Sequence, residues 1–327
     1  MKAINYMLFV FALLATTLPG LVSAEPITKF PSKMVTIVVP YTPGSGSDII
    51  ARILTPKLVA RWGQAVIVEN KTGASGNIGA NKVATATPDG HTLLLMAHTF
   101  SMTPSLYKSM PFDAVADFTP VAKLAEASYT FAVNPGVPAK DMTTMIAYIK
   151  KNGGRLNYAT PGSGTPQHLI MEILKKQSGL EILHVPYKGL QGAVTDLIGG
   201  QVQMMISTVQ SMRGFAQAGK VRMLAVTGLT RNPLTPDVPT FREQGITVMD
   251  NVDSWFAVMA PAHTPPEAVE RLNRDFIEAI NSADVKSQLE AQGLSVRTST
   301  PAQLGALVKS DLLRWQKVIT DAGITAN

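Results

Sequence analysis

The chain has 327 residues, 46% of them hydrophobic and 16% charged, with a formal net charge of +6. That apolar content fills the core of one large domain or two smaller ones and excludes a mainly disordered chain. Cysteine is absent, which excludes disulfides, thiolate zinc sites, iron–sulfur clusters and thiol nucleophiles. Lys and Arg are scattered, without a basic block or interleaved aromatics, so nucleic-acid binding has no support.

Lys2, the apolar run 7–14, the breaker Pro19-Gly20 and the small residues Val22-Ser23-Ala24 read as a cleavable export signal over residues 1–24. The run is shorter than the ~20 residues a membrane helix needs, and no later stretch reads as one. No Cys follows for a lipid anchor. The expected mature protein starts at Glu25 and is a periplasmic monomer without disulfides.

Residues 34–39 read as a buried strand, followed by a Gly/Ser loop from Pro40 to Ser47. Asp48 opens a helical pattern through Ile49, Ile50, Ile53 and Leu54, which Pro56 is expected to kink or shorten. A strand at 65–68, a second Gly-rich loop at 73–79, a helix at 80–84 and a strand at 92–96 continue the rhythm, which predicts an α/β fold with a mostly parallel sheet. The middle repeats the plan: a strand at 129–133, a helix at 142–151, a strand at 156–159, and a helix from Pro166, with Thr165 as its N-cap, to Gly179. Strands at 182–185, 202–206 and 221–226 and a helix at 193–198 follow. The last part reads as helical, opened by two capping boxes, Thr264-Pro265-Pro266-Glu267 and Thr300-Pro301-Ala302-Gln303.

One repeat stands out. Thr42-Pro43-Gly44-Ser45-Gly46-Ser47 and Thr160-Pro161-Gly162-Ser163-Gly164-Thr165 are nearly the same hexamer, each between a strand and a helix, in different halves of the chain. Glycines expose backbone N–H groups, Ser and Thr add hydroxyls, and a helix N-terminus adds partial positive charge. Together they make an anion site that needs no Lys or Arg, and two such loops suit a molecule with acidic groups at both ends. Neither loop carries a dinucleotide or Walker A signature.

Other constellations are thin. His91, His98, His168, His184 and His263 include no pair at helical metal spacing, so no metal and no cofactor is expected. No G-x-S-x-G elbow exists, although Ser163 and His168 lie close enough in sequence to leave a hydrolase reading open. Met204-Met205 reads as core. Tyr187-Lys188-Gly189 is either a solvated loop or a cleft edge. Phe100, Tyr187 and Trp255 are either ligand walls or core.

Taken together the chain resembles the Bug/TctC family, the periplasmic solute receptors of tripartite tricarboxylate transporters. The resemblance rests on Ile37-Val38-Val39-Pro40 with Pro43-Gly44 and Asp48, Val68-Glu69-Asn70 with Gly73, Gly76-Asn77-Ile78-Gly79-Ala80, Pro88-Asp89-Gly90, Asp117-Phe118-Thr119-Pro120-Val121, Leu156-Asn157-Tyr158-Ala159, His168-Leu169, His184-Val185-Pro186-Tyr187-Lys188-Gly189 and Asp237-Val238-Pro239-Thr240. It implies a two-lobed type II periplasmic-binding (Venus-flytrap) fold, each lobe a mostly parallel sheet flanked by helices. Domain I would hold 25–125 and 246–327, and domain II 126–245.

The implied activity is capture of a small organic anion by lobe closure and delivery to the large and small integral-membrane subunits of a transporter, with sensing for a signalling protein as an alternative. The implied ligand-binding set is Tyr41, Thr42, Pro43, Gly44, Ser45, Ser47, Asp48, Asn77, His98 and Thr99 in the first lobe. In the second it is Thr160, Gly162, Ser163, Gly164, Thr165, His168, Tyr187, Ser207 and Thr208. Two departures from the family pattern bear on the ligand. Ser45 stands where many relatives have Gly, and Ser207-Thr208 where many carry an Asp-Asn pair. Without that acid an amino-acid ligand is disfavoured, and a dicarboxylate lacking an amino group is expected.

Overall fold

The computed structural model describes residues 30–324; the expected export signal lies outside them. The described residues form two sheets. In chain order the first stretch comprises β1 (Val35–Val39), α1 (Gly46–Trp62), β2 (Val66–Asn70), α2 (Asn77–Ala84), β3 (Thr92–Ala97), α3 (Thr103–Leu106) and β4 (Phe118–Ala127). Then come β5 (Tyr129–Val133), α4 (Met142–Asn152), β6 (Asn157–Thr160), α5 (Pro166–Ser178), β7 (Leu183–Pro186), α6 (Leu190–Gly199), β8 (Met204–Thr208), α7 (Val209–Gln217) and β9 (Arg222–Val226). The chain ends with β10 (Ser254–Pro261), α8 (Pro266–Asn281), α9 (Ala283–Ala291), β11 (Ser295–Val296) and α10 (Pro301–Ala322).

The first sheet has the order β11-β4-β10-β3-β1-β2 and the second β7-β6-β8-β5-β9. Both are mixed rather than mostly parallel. β1 runs parallel to β2 and β3, and β6 parallel to β7 and β8. β10 is antiparallel to β3 and β4, and β5 is antiparallel to β8 and β9. The βαβ crossovers impose the parallel pairs. The strands by which the chain passes between the sheets supply the antiparallel ones. β4 leads into β5 with Ser128 alone between them, and β10 brings the chain back to the first sheet after β9.

Alternation along the strands divides the core. Val35, Ile37 and Val39 face α1 and α8, packing with Ile50, Leu54, Leu58, Leu272, Phe276 and Ile280. Val38, Leu94 and Met96 point to the other side, with Trp255, Leu304 and Val308. In the second sheet Phe131, Tyr158 and Ile206 join Leu169 and Leu174 of α5, whereas Ala132, Ala159 and Met205 meet Leu197 of α6. Met204 and Met205 are core, as expected. α10 spans both layers: Leu304 and Val308 pack on the first sheet, and Trp315 and Ile319 join the core of the second.

Three local expectations are corrected. α1 runs through Pro56 to Trp62 and ends at the left-handed Gly63. Buried residues on both sides of the proline, Leu54 before it and Leu58 and Trp62 after it, outweigh the ~3 kcal/mol a helix-interior proline costs. The C-terminal part is not wholly helical, because β10 is a strand buried along its whole length. The Thr264 capping box does not form. Pro265 occupies the cap position, and the Thr264 hydroxyl donates instead to the Pro261 carbonyl at 2.8 Å. The Thr300 box does form, with Gln303 N–H to Thr300 Oγ1 at 3.2 Å and Thr300 N–H to Gln303 Oε1 at 2.9 Å.

α1 and α8 are locked together by Asp275, which is wholly buried. Its carboxylate accepts from Trp62 Nε1 at 2.7 Å, Arg61 Nε at 2.6 Å and Arg271 Nε at 2.6 Å. Burial alone would push its pKa up, but the hydrogen bonds from Arg271, Trp62 and Arg61 hold it below the ordinary Asp value. Asp275→Asn should lower stability by about 2–3 kcal/mol in urea unfolding, the loss expected for charge-assisted bonds in a buried network. With a depressed folded pKa, the contribution is complete above the free Asp value of ~3.9 and fades as pH falls through the folded one. The variant should therefore lose less stability than the wild type on acidification below that value.

Candidate ligand-binding site

The first Gly-rich loop joins β1 to α1. Ser45 N–H donates to the Thr42 carbonyl at 3.1 Å, and Ser45 caps the helix, its Oγ accepting from Asp48 N–H at 3.4 Å. Gly46 lets α1 start directly on β10, since a Cβ there would meet the Phe256 ring at 2.6 Å. Asp48 is buried and accepts from Gly44 N–H at 2.9 Å, Asn70 Nδ2 at 2.9 Å and Arg52 Nε at 3.0 Å. Burial works against its charge, but the bonds from Arg52, Gly44 and Asn70 hold its pKa below the usual carboxylate value.

Two site expectations change here. Asp48 and Gly44, both expected to bind the ligand, bond each other, so Asp48 holds the loop and the Gly44 amide is occupied. Thr42, Pro43 and Gly44 are exposed, while Ser47 is buried with its hydroxyl unpartnered. Tyr41 OH bonds Thr99 Oγ1 at 2.7 Å and accepts from Ala97 N–H at 3.3 Å. Burial raises the Tyr41 phenol pKa. Asn77 is buried at the start of α2, its Nδ2 3.5 Å from Met110 Sδ.

The second loop joins β6 to α5. Thr160 is buried, with Oγ1 2.7 Å from His184 Nε2 and accepting from Gly162 N–H at 3.3 Å. Thr165 sits at the cap position, but its hydroxyl donates to the Gly162 carbonyl at 2.7 Å instead of capping. Gly164 N–H donates to His168 Nδ1 at 3.1 Å. Ser163 is exposed. His168 is thus bonded to its own loop backbone and does not pair with Ser163 as a nucleophile would require. Leu106 of α3 lies 3.5 Å from where a Gly164 Cβ would stand, so this loop borders the segment that also carries Thr99.

Between the sheets His98 is fully engaged. Its Nδ1 bonds Ser254 Oγ at 2.8 Å and its Nε2 lies 3.3 Å from Tyr129 OH. Burial, with Arg314 nearby, lowers its pKa to about 3. Both ring nitrogens of His98, expected to contact the ligand, are thus taken up by Ser254 of β10 and Tyr129 of β5. Ser128 Oγ donates to Asp253 Oδ2 at 3.4 Å, and the Thr227 hydroxyl donates to Asp253 Oδ1. Burial pushes the Asp253 pKa up to about 7.

At the end of β8, Ser207 is wholly buried with its hydroxyl unpartnered. Thr208 is instead the cap of α7, its Oγ1 2.6 Å from Ser211 Oγ and accepting from Ser211 N–H. Tyr187 is half-buried and donates to Asp196 Oδ2 at 2.5 Å, with its pKa raised to about 12. Phe100 and Trp255 are core: Phe100 stacks on Phe112, and Trp255 Nε1 donates to Asp311 Oδ2 at 2.8 Å.

The candidate residues therefore form two groups, one at the start of α1 and one at the start of α5, and among the described residues the groups share no hydrogen bond. Sequence reasoning missed Asn70 and Arg52, which hold Asp48, and His184, which stacks on His168 with centroids 3.9 Å apart. Asn70 ends β2 and His184 lies within β7, both half-buried, and a polar residue on an otherwise apolar strand was the available signal. A cavity of about 160 Å³ lined by Phe118, Pro120, Met259 and Val308 lies away from both loops. It is smaller than the ~300 Å³ typical of ligand pockets at the low end.

Comparison with known proteins identifies the architecture. The tripartite tricarboxylate transporter family receptor description matches residues 50–324. A protein from the tcbD–tcbE intergenic region of Pseudomonas sp. (strain P51) is 38% identical over 304 residues, 93% of this chain and 90% of its own. Among solved structures, R. palustris Rpa4515 with adipate is 33% identical with a TM-score of 0.75, covering 90% of this chain and 99% of that one. MatC from Rhodopseudomonas palustris with bound malate is 32% identical with a TM-score of 0.70, covering 89% and 100%. The fold is the two-lobed periplasmic-binding fold, and the chain belongs to the TctC family of tripartite tricarboxylate transporter receptors, which bind solutes and are not enzymes.

Proposed function

We propose that this chain is an exported periplasmic receptor that captures a small dicarboxylate without an amino group between its lobes and delivers it to the large and small membrane subunits of a tripartite tricarboxylate transporter. The observation that carries the reading is the pair of Thr-Pro-Gly-Ser-Gly loops at the starts of α1 and α5, one on each sheet. Each combines a helix N-terminus with hydroxyls and exposed backbone, a combination suited to carboxylates.

The buried, unpartnered hydroxyls of Ser47 and Ser207 add two further donors. A buried hydroxyl left unbonded costs about 1–3 kcal/mol, so a ligand oxygen that reaches it gains affinity. Asp48 has its oxygens bonded to Gly44, Asn70 and Arg52, and Ser207 stands where an acid would answer an ammonium. An ammonium enclosed without an acid would be costly. The adipate and malate held by the two similar structures are both dicarboxylates without an amino group. Residues proposed to reach the ligand are Ser45, Ser47, Thr99, Gly162, Ser163, Thr165, Tyr187 and Ser207. Asp48, Asn77, His98, His168 and Thr208 support them.

Three outcomes are expected. In a thermal-shift screen, succinate, adipate, malate or citrate should raise the melting temperature once it exceeds its dissociation constant, while aspartate and glutamate should not; a response to the amino acids alone would refute the ligand class. Gly162→Val should reduce affinity for the responding acid at least tenfold by calorimetry. The glycine sits at φ 154° with its would-be Cβ 3.5 Å from the Tyr187 carbonyl, and a branched side chain there displaces the loop. The intact mass of the exported protein should correspond to a chain beginning at Glu25, and retention of residues 1–24 would refute export with cleavage.

A further inference from the structure

Both loops use the same fastening. In each, a glycine N–H donates to a side chain four residues ahead, in the first turn of the following helix. Gly44 donates to Asp48 and Gly164 to His168. The two acceptors differ in chemistry. Asp48 is held charged by Arg52, Gly44 and Asn70 and remains an acceptor well below neutrality. His168 Nδ1 accepts only while it carries no proton.

His168 also lies in a buried aromatic stack. His184 stacks on it at 3.9 Å and 16°, and Tyr158 stacks on His184 at 4.9 Å. His184 in turn bonds Thr160, which accepts from Gly162 N–H. The charged groups facing the stack are Glu172, 4.0 Å from His168 Nε2, and Lys175, bonded to Glu172 at 2.6 Å and lying 5.5 Å over the Tyr158 ring. Tyr158 OH donates to Glu172 at 2.6 Å. With Nδ1 accepting from the loop, the neutral ring carries its proton on Nε2, toward Glu172.

We propose that His168, backed by His184, is a positioning residue that holds the second loop in its ligand-gripping form only while Nδ1 is unprotonated, so that the grip on a dicarboxylate loosens in acid in the second lobe and not in the first. Protonation would set an N–H of the ring against the Gly164 N–H. Burial lowers the pKa of both histidines, that of His184 to about 4. A depressed histidine means the ordered loop binds fewer protons than the released one. Its order is complete above the free value of ~6.5 and is lost as pH falls through the folded pKa. The inference rests on the reading of residues 160–165 as a ligand loop.

The test uses the full mature chain. In ¹H–¹⁵N spectra without ligand, the Gly164 amide should shift along the same curve as the His168 imidazole between pH 8 and 4.5; a Gly164 amide that stays put while His168 titrates would overturn the proposal. Calorimetry with adipate and malate at pH 7.5 and 5 then reads the ratio of affinities in wild type and His168→Asn, whose Oδ1 takes the place of Nδ1 but does not titrate. The wild-type ratio should exceed that of the variant several-fold. The ligand's own protonation is common to both proteins and cancels. Equal ratios would overturn the positioning role. If Gly162→Val leaves the affinity unchanged, the ligand loop itself is misassigned, and the two failures are thereby told apart.

Discussion

A glycine-rich loop between a strand and a helix keeps a fixed shape only where something ties it to the helix it precedes. Here the constraint is met by a single acceptor in the first helical turn, Asp48 for the first loop and His168 for the second. Each fixes one glycine amide inward, and further bonds within the loop, Ser45 N–H to the Thr42 carbonyl and the Thr165 hydroxyl to the Gly162 carbonyl, set its shape. The rest of the site follows from this. Asn70 and Arg52 exist to saturate Asp48, a buried carboxylate that would otherwise be costly. Around His168, His184 stacks on the ring, Tyr158 stacks on His184, and Glu172 lies 4.0 Å from Nε2.

The lobes that carry these loops are held by different means. The first is bolted at its base by Asp275, where three donors from α1 and α8 converge. The second borrows part of its core from outside its own sheet, since Trp315 and Ile319 of α10 pack with Phe131 and Leu169. One long helix therefore touches both cores, and Asp311 within it is bonded to Trp255 of β10.

Much of this was legible in the sequence. The short apolar runs of β1, β3, β5 and β8 and the apolar faces of α5 and α10 follow from local patterning. The hexamer repeat located both loops. β10, Ser-Trp-Phe-Ala-Val-Met-Ala-Pro, is buried along its whole length as β5 is, and a short apolar run of this kind is not told from a buried helix by periodicity alone. The mixed sheets escaped because strand direction depends on where the chain crosses between lobes. In the site, residue types were easier to read than partners. Gly44, Asp48 and His98 were found, but whether each serves a ligand or its own scaffold is set by neighbours distant in sequence, such as Asn70 for Asp48 and Ser254 for His98.

The junction between the sheets has a mechanical consequence. The first crossing is one residue, Ser128, and the second returns at Asp253, and the two side chains are bonded to each other. The first connection is short and the second, 227–253, is long, yet the Thr227 hydroxyl donates to Asp253, so the two ends of the long segment are fastened to each other beside Ser128. A pull on either sheet is therefore carried by both connections at once.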